Sequence, residues 1–344
     1  MTRIAASAAP PGPVLVMGAG AIGCYLGGCL QAAGAEVTFV GRPRVLADLR
    51  ARGLRLTDLD GHERTLAAEA ICAVEAIPPR ARPALVLLTV KSAATADAAQ
   101  TLGEALPPGT LVVSMQNGAS NAQVAQQTAS SLHVLPGMVP FNVAELSPGH
   151  FHRGTSGALA AQDDPRLRPW LPCFEAAGLR LELHADLRGI QWAKLLINLN
   201  NPVNALSGLP LRRQLLDRDF RRCIAALQRE GLAALAAAGI APARLTPLPP
   251  ASLPTVLELP TPLFRLVAGR TLRIDAKARS SMADDLARGR PTEIDALCGE
   301  VVRLGRRHDL PMPVNEKMTE LMQQAPLHPR PWRGAELRRA LGIG

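Results

Sequence analysis

Residues 14–23 read Val-Leu-Val-Met-Gly-Ala-Gly-Ala-Ile-Gly, and the rest of the chain is most easily understood outward from them. The four apolar residues form a short buried strand. The stretch from Ala21 to Gly34 is small and apolar with helical character, and residues 36–40 return to strand-like composition. Strand, helix and strand in about thirty residues is the size of a βαβ crossover. In that setting the spacing of Gly18, Gly20 and Gly23 is a dinucleotide fingerprint. The first glycine permits a tight turn, the second lets backbone approach a pyrophosphate, and the third brings helix close to strand. Ala19, Ala21 and Ile22 complete the loop, whose helix N-terminus offers free N–H groups and partial positive charge to phosphates. The competing readings are an Ala/Gly-rich turn with no ligand and, because residues 1–13 are Ala- and Pro-rich, a signal peptide. The glycine spacing accounts for the apolar stretch better than either.

The end of the second strand indicates which dinucleotide is bound. An acidic residue there usually receives the ribose hydroxyls of NAD, but this chain reads Phe39-Val40-Gly41-Arg42-Pro43-Arg44. Arginine can pair with a 2′-phosphate, so NADPH is the expected cofactor and Arg42 the expected ligand. The bland alternative is two solvated arginines in an arginine-rich chain.

Further strands are expected at residues 85–90 and 111–114, with a helix at 93–105 between them. Short apolar runs over 133–184 suggest extra strands that close the first domain. Alternating strands and helices imply a parallel sheet covered on both faces. Beyond residue 186 the pattern is helical, with candidates at 187–201, 217–238, 278–287, 294–307 and 314–324. The Pro-rich segment 242–262 cannot be one regular helix, and the run 326–331 is expected to end the ordered core. The expected architecture is an α/β Rossmann-type dinucleotide-binding domain over residues 1–185, followed by an all-α C-terminal domain over residues 186–344. A cleft between two such halves is a common place for a small-molecule site.

Composition narrows the functional classes. The 344 residues are 47% hydrophobic, enough for a substantial core, and contain no uninterrupted apolar run long enough to span a membrane. A net charge of +9 raises the question of nucleic acid, but the arginines are scattered and aromatics are 3% of residues, few for base stacking. Cys24, Cys29, Cys72, Cys173, Cys223 and Cys298 show no metal or redox spacing, so no metal is expected and most read as buried thiols in a reducing cytoplasm. Only Lys91, Lys194, Lys277 and Lys317 are lysine among 38 basic residues. Arginine holds its proton near neutrality whereas lysine can release it, so each lysine merits scrutiny.

Lys194 lies in Gln191-Trp192-Ala193-Lys194-Leu195-Leu196-Ile197-Asn198-Leu199-Asn200-Asn201-Pro202. Helical spacing puts Lys194, Asn198 and Asn201 on one face, where an ammonium and two amides suit a carbonyl or hydroxyl substrate. A solvated polar face has the same pattern. In Arg290-Pro291-Thr292-Glu293-Ile294-Asp295, Thr292 reads as an N-cap ahead of an apolar stripe of Ile294, Leu297, Cys298, Val301 and Val302. An acid in a first helical turn commonly complements the helix dipole, and spacing alone does not separate that role from catalysis.

The glycine fingerprint, Val90-Lys91, Gln116-Asn117-Gly118, Trp192-x-Lys194-x-x-x-Asn198, Ser280-Ser281-Met282 and Pro291-Thr292-Glu293-Ile294-Asp295 occur here in the order seen in ketopantoate reductases (2-dehydropantoate 2-reductases). From about Val14 to Met322 the chain resembles that family. The resemblance implies NADPH-dependent reduction of ketopantoate to pantoate, on the route to pantothenate. It implies that Lys194 is the catalytic lysine and Glu293 its acidic partner, which also contacts ligand. It places Ser281 and Asn117 at the substrate, Asn117 also at the nicotinamide, and Lys91 near the cofactor. Family members often carry a second Asn four residues after the first. Here that position is Pro202, leaving Asn201 and Asn204 as alternatives. A small 2-keto acid is the expected partner and a homodimer a candidate assembly. The rival functions are reduction of another 2-keto acid and non-catalytic NADPH sensing.

Overall fold

The computed structural model describes residues 9–269, 278–327 and 330–344. Lys277, most of the Ala/Pro-rich N-terminal segment and two residues of the 326–331 run lie outside the described residues. The chain divides into two units, Met1–Leu187 and Arg188–Gly344.

The first unit runs β1 (Val14–Met17), α1 (Ala21–Ala32), β2 (Val37–Val40), α2 (Pro43–Arg52), β3 (Leu54–Asp58), β4 (Glu63–Leu66), β5 (Cys72–Val74), β6 (Leu85–Leu88), α3 (Thr95–Ala105), β7 (Leu111–Ser114), α4 (Asn121–Thr128), β8 (His133–Met138), β9 (Val143–Ser147), β10 (His150–Arg153), β11 (Leu159–Gln162), α5 (Leu171–Ala176) and β12 (Leu181–His184). The main sheet has the order β12-β11-β8-β7-β6-β1-β2-β5. Its central strands are buried on both faces because alternate residues enter different cores. Val14, Val16, Leu85, Leu87, Leu111 and Val113 pack with α1, α2 and α5, while Leu15, Val86, Leu88 and Val112 pack with α3 and α4.

The sheet departs from the expected all-parallel form at one place. From β5 through β8 the pairs are parallel, but β11 runs antiparallel to β8. Parallel pairing needs a crossover connection. Between β8 and β11 the chain instead forms the β9–β10 hairpin, which joins β3 and β4 in a second sheet of order β4-β3-β10-β9. Helix α1 lies between the two sheets. An added Cβ on Gly27 would fall 2.6 Å from Phe39 of the main sheet, and one on Gly28 would fall 2.8 Å from Leu56 of the small sheet.

The second unit has helices and no strand among its described residues: α6 (Arg188–Asn198), α7 (Asn200–Ser207), α8 (Leu211–Leu216), α9 (Arg218–Ala237), α10 (Leu253–Glu258), α11 (Thr261–Val267), α12 (Ser281–Ala287), α13 (Ile294–Arg307), α14 (Pro313–Gln324) and α15 (Gly334–Ala340). Asp217 caps α9 by accepting the Asp219 N–H. The Pro-rich segment forms short helices tied down by Arg221, which is fully buried and forms no ion pair with any described residue. Its guanidinium donates to the carbonyls of Leu215, Leu257 and Leu259 and stacks 4.2 Å from the Phe264 ring centroid. Two sequence expectations need correction. The helix expected over 187–201 ends at Asn198. The ordered core does not end at the Pro run, since Leu337 and Leu341 of the α15 region are buried, Trp332 N–H donates to Leu206 O, and Arg338 pairs with Asp219. No helix among the described residues is long and apolar enough to cross a membrane.

Candidate functional site

The glycine loop follows β1 directly. Gly18 has φ +113°, and a Cβ there would fall 2.6 Å from the Val90 amide nitrogen, so both conformation and proximity demand glycine. A Cβ on Gly23 would fall 2.2 Å from Gly18 O. Gly20 behaves differently. It is exposed, it is the N-cap of α1, and a Cβ added to it meets nothing within 4 Å. Helix α1 has no acidic residue in its first turn, so no carboxylate there competes for the N–H groups that an α-helix leaves unpaired at its N-terminus. Glycine at 20 therefore keeps backbone open to a ligand, and this cradle fits a pyrophosphate. Ala19 is buried, whereas Ala21 and Ile22 are half-buried in the first turn.

Arg42 is exposed at the carboxyl end of β2 and is the N-cap of α2, with Pro43 opening the helix and no acid in its first turn. Its guanidinium forms no hydrogen bond or ion pair with any described residue, whereas Arg44 lies 4.0 Å from Asp48. These features fit a phosphate beside the adenosine ribose. Because β1, β2, β6 and β7 are parallel, their carboxyl ends share one edge, and the strand order reverses direction at β1. Open α/β sheets bind ligands at such a switch point. Lys91 follows β6 as the N-cap of a short 3₁₀ turn, and Asn117 follows β7 ahead of Gly118, which has φ +93°. Both side chains are half-buried.

In the second unit, Lys194 and Asn198 lie one turn apart on α6 and are half-buried, while Leu195, Leu196 and Leu199 are buried. Burial lowers the Lys194 ammonium from its ordinary value near 10.5 to about 8. Asn201 lies beyond the end of α6, in the first turn of α7. Pro202 lacks the N–H that a continuous helix would give to Asn198, so a new helix starts with Asn200 and Asn201, where that N–H is not needed.

The two candidate asparagines beyond Asn198 have different surroundings. Asn204 is completely buried; its Nδ2 donates to Leu209 O, and its Oδ1 accepts the Ser280 N–H at 2.9 Å. Ser280 also donates through Oγ to Asn201 O and accepts from Ala283 N–H, capping α12. Asn204 thus holds the start of α12, while Asn201 is half-buried beside the same Ser280 anchor. This anchor brings Ser281, exposed at the first position of α12, next to the Asn201 segment. Glu293 is itself the N-cap of α13, correcting the assignment of that position to Thr292, and its side chain makes no capping hydrogen bond. The apolar stripe behind it is buried. Sequence reading did not assign roles to Ser280, Thr95, Gln116 or Asn121; the first and third stood inside quoted motifs, but nothing in their spacing announced their partners.

A glycine-loop α/β unit joined to a helical unit carrying a lysine and asparagine pair defines an oxidoreductase that uses a nicotinamide dinucleotide. The comparisons refine this class. Residues 14–165 match the family described as Ketopantoate reductase PanE/ApbA, and residues 186–325 match Ketopantoate reductase PanE/ApbA C terminal. The chain belongs to the ketopantoate reductase family. It is 30% identical to 2-dehydropantoate 2-reductase of Halobacterium salinarum over 91% of this chain and 98% of that one. The crystal structure of a PanE/ApbA family ketopantoate reductase from Ralstonia eutropha is similar at TM-score 0.76 and 30% identity, covering 90% of this chain and 97% of the other. A D-mandelate dehydrogenase solved with NADH and anilino(oxo)acetate shares the fold at TM-score 0.75 and 18% identity, over 90% and 97% of the two chains.

Proposed function

We propose that this protein reduces 2-dehydropantoate to (R)-pantoate with NADPH. The observation that carries the reading is the pair Lys194 and Asn198 on one turn of α6, with burial bringing the lysine close to neutrality. A general acid works best when its pKa lies near the operating pH, and an ordinary lysine is too weak an acid for that task. When bound, the reduced nicotinamide supplies the hydride that C2 of the keto acid accepts. Lys194 donates a hydrogen bond to the C2 oxygen, then transfers its proton as negative charge develops there, leaving a neutral amine that is reprotonated from solvent. Asn198 and Asn201 hold the substrate oxygens, Ser281 holds the carboxylate end, and Glu293 orients the ammonium and accepts from a substrate hydroxyl. Asn204 supports this set through Ser280. In the first unit, residues 18–23 bind the pyrophosphate, Arg42 the 2′-phosphate, and Lys91 and Asn117 the nicotinamide half, with Asn117 also reaching substrate.

The test is turnover with 2-dehydropantoate, NADPH and NADH compared by loss of reduced-nicotinamide absorbance. The expected result is faster turnover with NADPH and a clear preference for 2-dehydropantoate over a panel of 2-keto acids that includes phenylglyoxylate. Efficient reduction of another keto acid with no turnover of 2-dehydropantoate refutes the substrate assignment. Equal use of NADH refutes the role given to Arg42.

A further inference from the structure

Behind Lys91 and Asn117 lies a buried polar chain that the proposed chemistry does not yet use. Ser114, Thr95, Gln116 and Asn121 are all less than 9% exposed, in a region otherwise filled by aliphatic side chains. Ser114 Oγ donates to Gln116 Oε1 at 2.8 Å. Gln116 Nε2 donates to Val90 O at 2.9 Å and to Thr95 Oγ1 at 2.7 Å. Thr95 Oγ1 donates to Asn121 Oδ1 at 3.1 Å. Asn121 Nδ2 donates to Ser92 Oγ at 3.1 Å and to Asn117 O at 2.5 Å, and Ser92 Oγ donates to Asn117 O at 3.2 Å.

The direction of every bond is fixed. Val90 O and Asn117 O are backbone carbonyls and can only accept, so the amide nitrogens of Gln116 and Asn121 must face them. Each amide oxygen then needs a donor, which Ser114 and Thr95 provide. Both N–H groups and the oxygen of each amide are engaged, and two donors, Asn121 Nδ2 and Ser92 Oγ, converge on the Asn117 carbonyl. A buried network satisfied at each member is rigid, because any rotation leaves a polar group unpaired at a cost of about 1–3 kcal/mol.

We infer that Thr95, Gln116, Asn121 and Ser92 are positioning residues that lock the β6 and β7 carboxyl-end loops to receive the nicotinamide half of the cofactor. The inference rests on the cofactor reading above. With the pyrophosphate on the β1 loop and the adenosine phosphate at Arg42 after β2, the other half of a dinucleotide extends to the opposite side of the switch point, where β6 and β7 end. The network joins these two loops: it fixes Val90 and Ser92 on either side of Lys91, and it fixes the Asn117 peptide just ahead of the positive-φ Gly118.

The test separates the two halves of the cofactor by binding rather than turnover. Thr95→Val keeps the shape and removes the relay hydroxyl. Its Kd for NADPH is expected to rise about tenfold, while its Kd for 2′-phosphoadenosine 5′-diphosphoribose, which lacks nicotinamide, stays at the wild-type value. Thr95→Ser restores NADPH affinity. If Thr95→Val does not fold, Ser92→Ala removes one of the two donors to Asn117 O from a half-buried turn and is expected to show a smaller loss with the same selectivity. Equal weakening of both ligands, or of neither, overturns the inference. A wild-type chain that binds neither ligand overturns the cofactor reading and this inference with it.

Discussion

The Lys194 assignment makes a quantitative prediction about pH. With its ammonium at about 8, Lys194 is about 90% protonated at pH 7 and about 10% at pH 9, so kcat/KM for keto-acid reduction at saturating NADPH falls roughly tenfold across that interval. A lysine at its ordinary value stays almost wholly protonated at pH 9 and predicts no fall. Oxidation of the hydroxy acid, which needs the neutral amine, rises over the same range. Lys194→Arg keeps a cation and hydrogen-bond donor but not an accessible proton; it is expected to bind NADPH normally, turn over about 10²- to 10⁴-fold more slowly, and lose the limb near pH 8. Stability gives an independent check. Because the folded state holds this proton less tightly than the unfolded chain, wild-type stability rises between pH 8 and 10.5 as the burial penalty is relieved. Lys194→Met removes a penalty of up to about 3 kcal/mol at pH 7, a gain that shrinks toward pH 10.5 in urea titrations at each pH. A profile flat to pH 9.5, or a limb that persists in Lys194→Arg, refutes the reasoning.

Further substitutions separate ligand contacts from framework. Gly20→Ala, with open space around the new methyl, should melt near the wild-type temperature yet bind NADPH at least tenfold more weakly; Gly23→Ala drives a Cβ against Gly18 O and should lower the melting temperature itself. Arg42→Ala should weaken NADPH by about 1.5–3 kcal/mol and leave NADH nearly unchanged, as measured by the two Kd values side by side. Asn204→Ala leaves the buried Ser280 N–H and Leu209 O without their side-chain partner and should destabilise by about 1–3 kcal/mol in urea, whereas Asn198→Ala should cost turnover with little change in stability.

The β1–α1–β2 unit was legible because glycine position and apolar periodicity speak to the same local geometry. The small second sheet was not. β3 and β4 are short, carry Arg55, Glu63 and Arg64, and owe their strand form to pairing with each other and, for β3, with β10 almost a hundred residues away. Pro202 in the sequence does not announce that a second helix begins two residues before it, because a proline in the first turn and a proline that kinks a helix look alike until the preceding residues choose a conformation. Nothing in the sequence sets Arg221 apart from the other scattered arginines. Its burial depends on the carbonyls that the Pro-rich segment leaves unpaired, and nothing in its own neighbourhood in sequence reports them. The candidate ligands were legible through motif order, whereas their supports were not.

The amides of this protein therefore fall into two physical groups that sequence spacing treats as one. Asn121 in the first unit and Asn204 in the second are buried, fully engaged, and spent on the backbone of a neighbouring segment, Asn117 in one case and Ser280 in the other. Asn117, Asn198 and Asn201 are half-buried, where a side chain can still meet a ligand. Replacing a member of the buried group strands polar atoms away from water, so stability and function fall together. Replacing a half-buried amide leaves atoms that water can satisfy, so function falls alone. A pairwise comparison of unfolding midpoints with kcat/KM across Asn117, Asn121, Asn198, Asn201 and Asn204 distinguishes the groups. It also decides between Asn201 and Asn204 without a bound substrate, since only a ligand contact loses activity at unchanged stability.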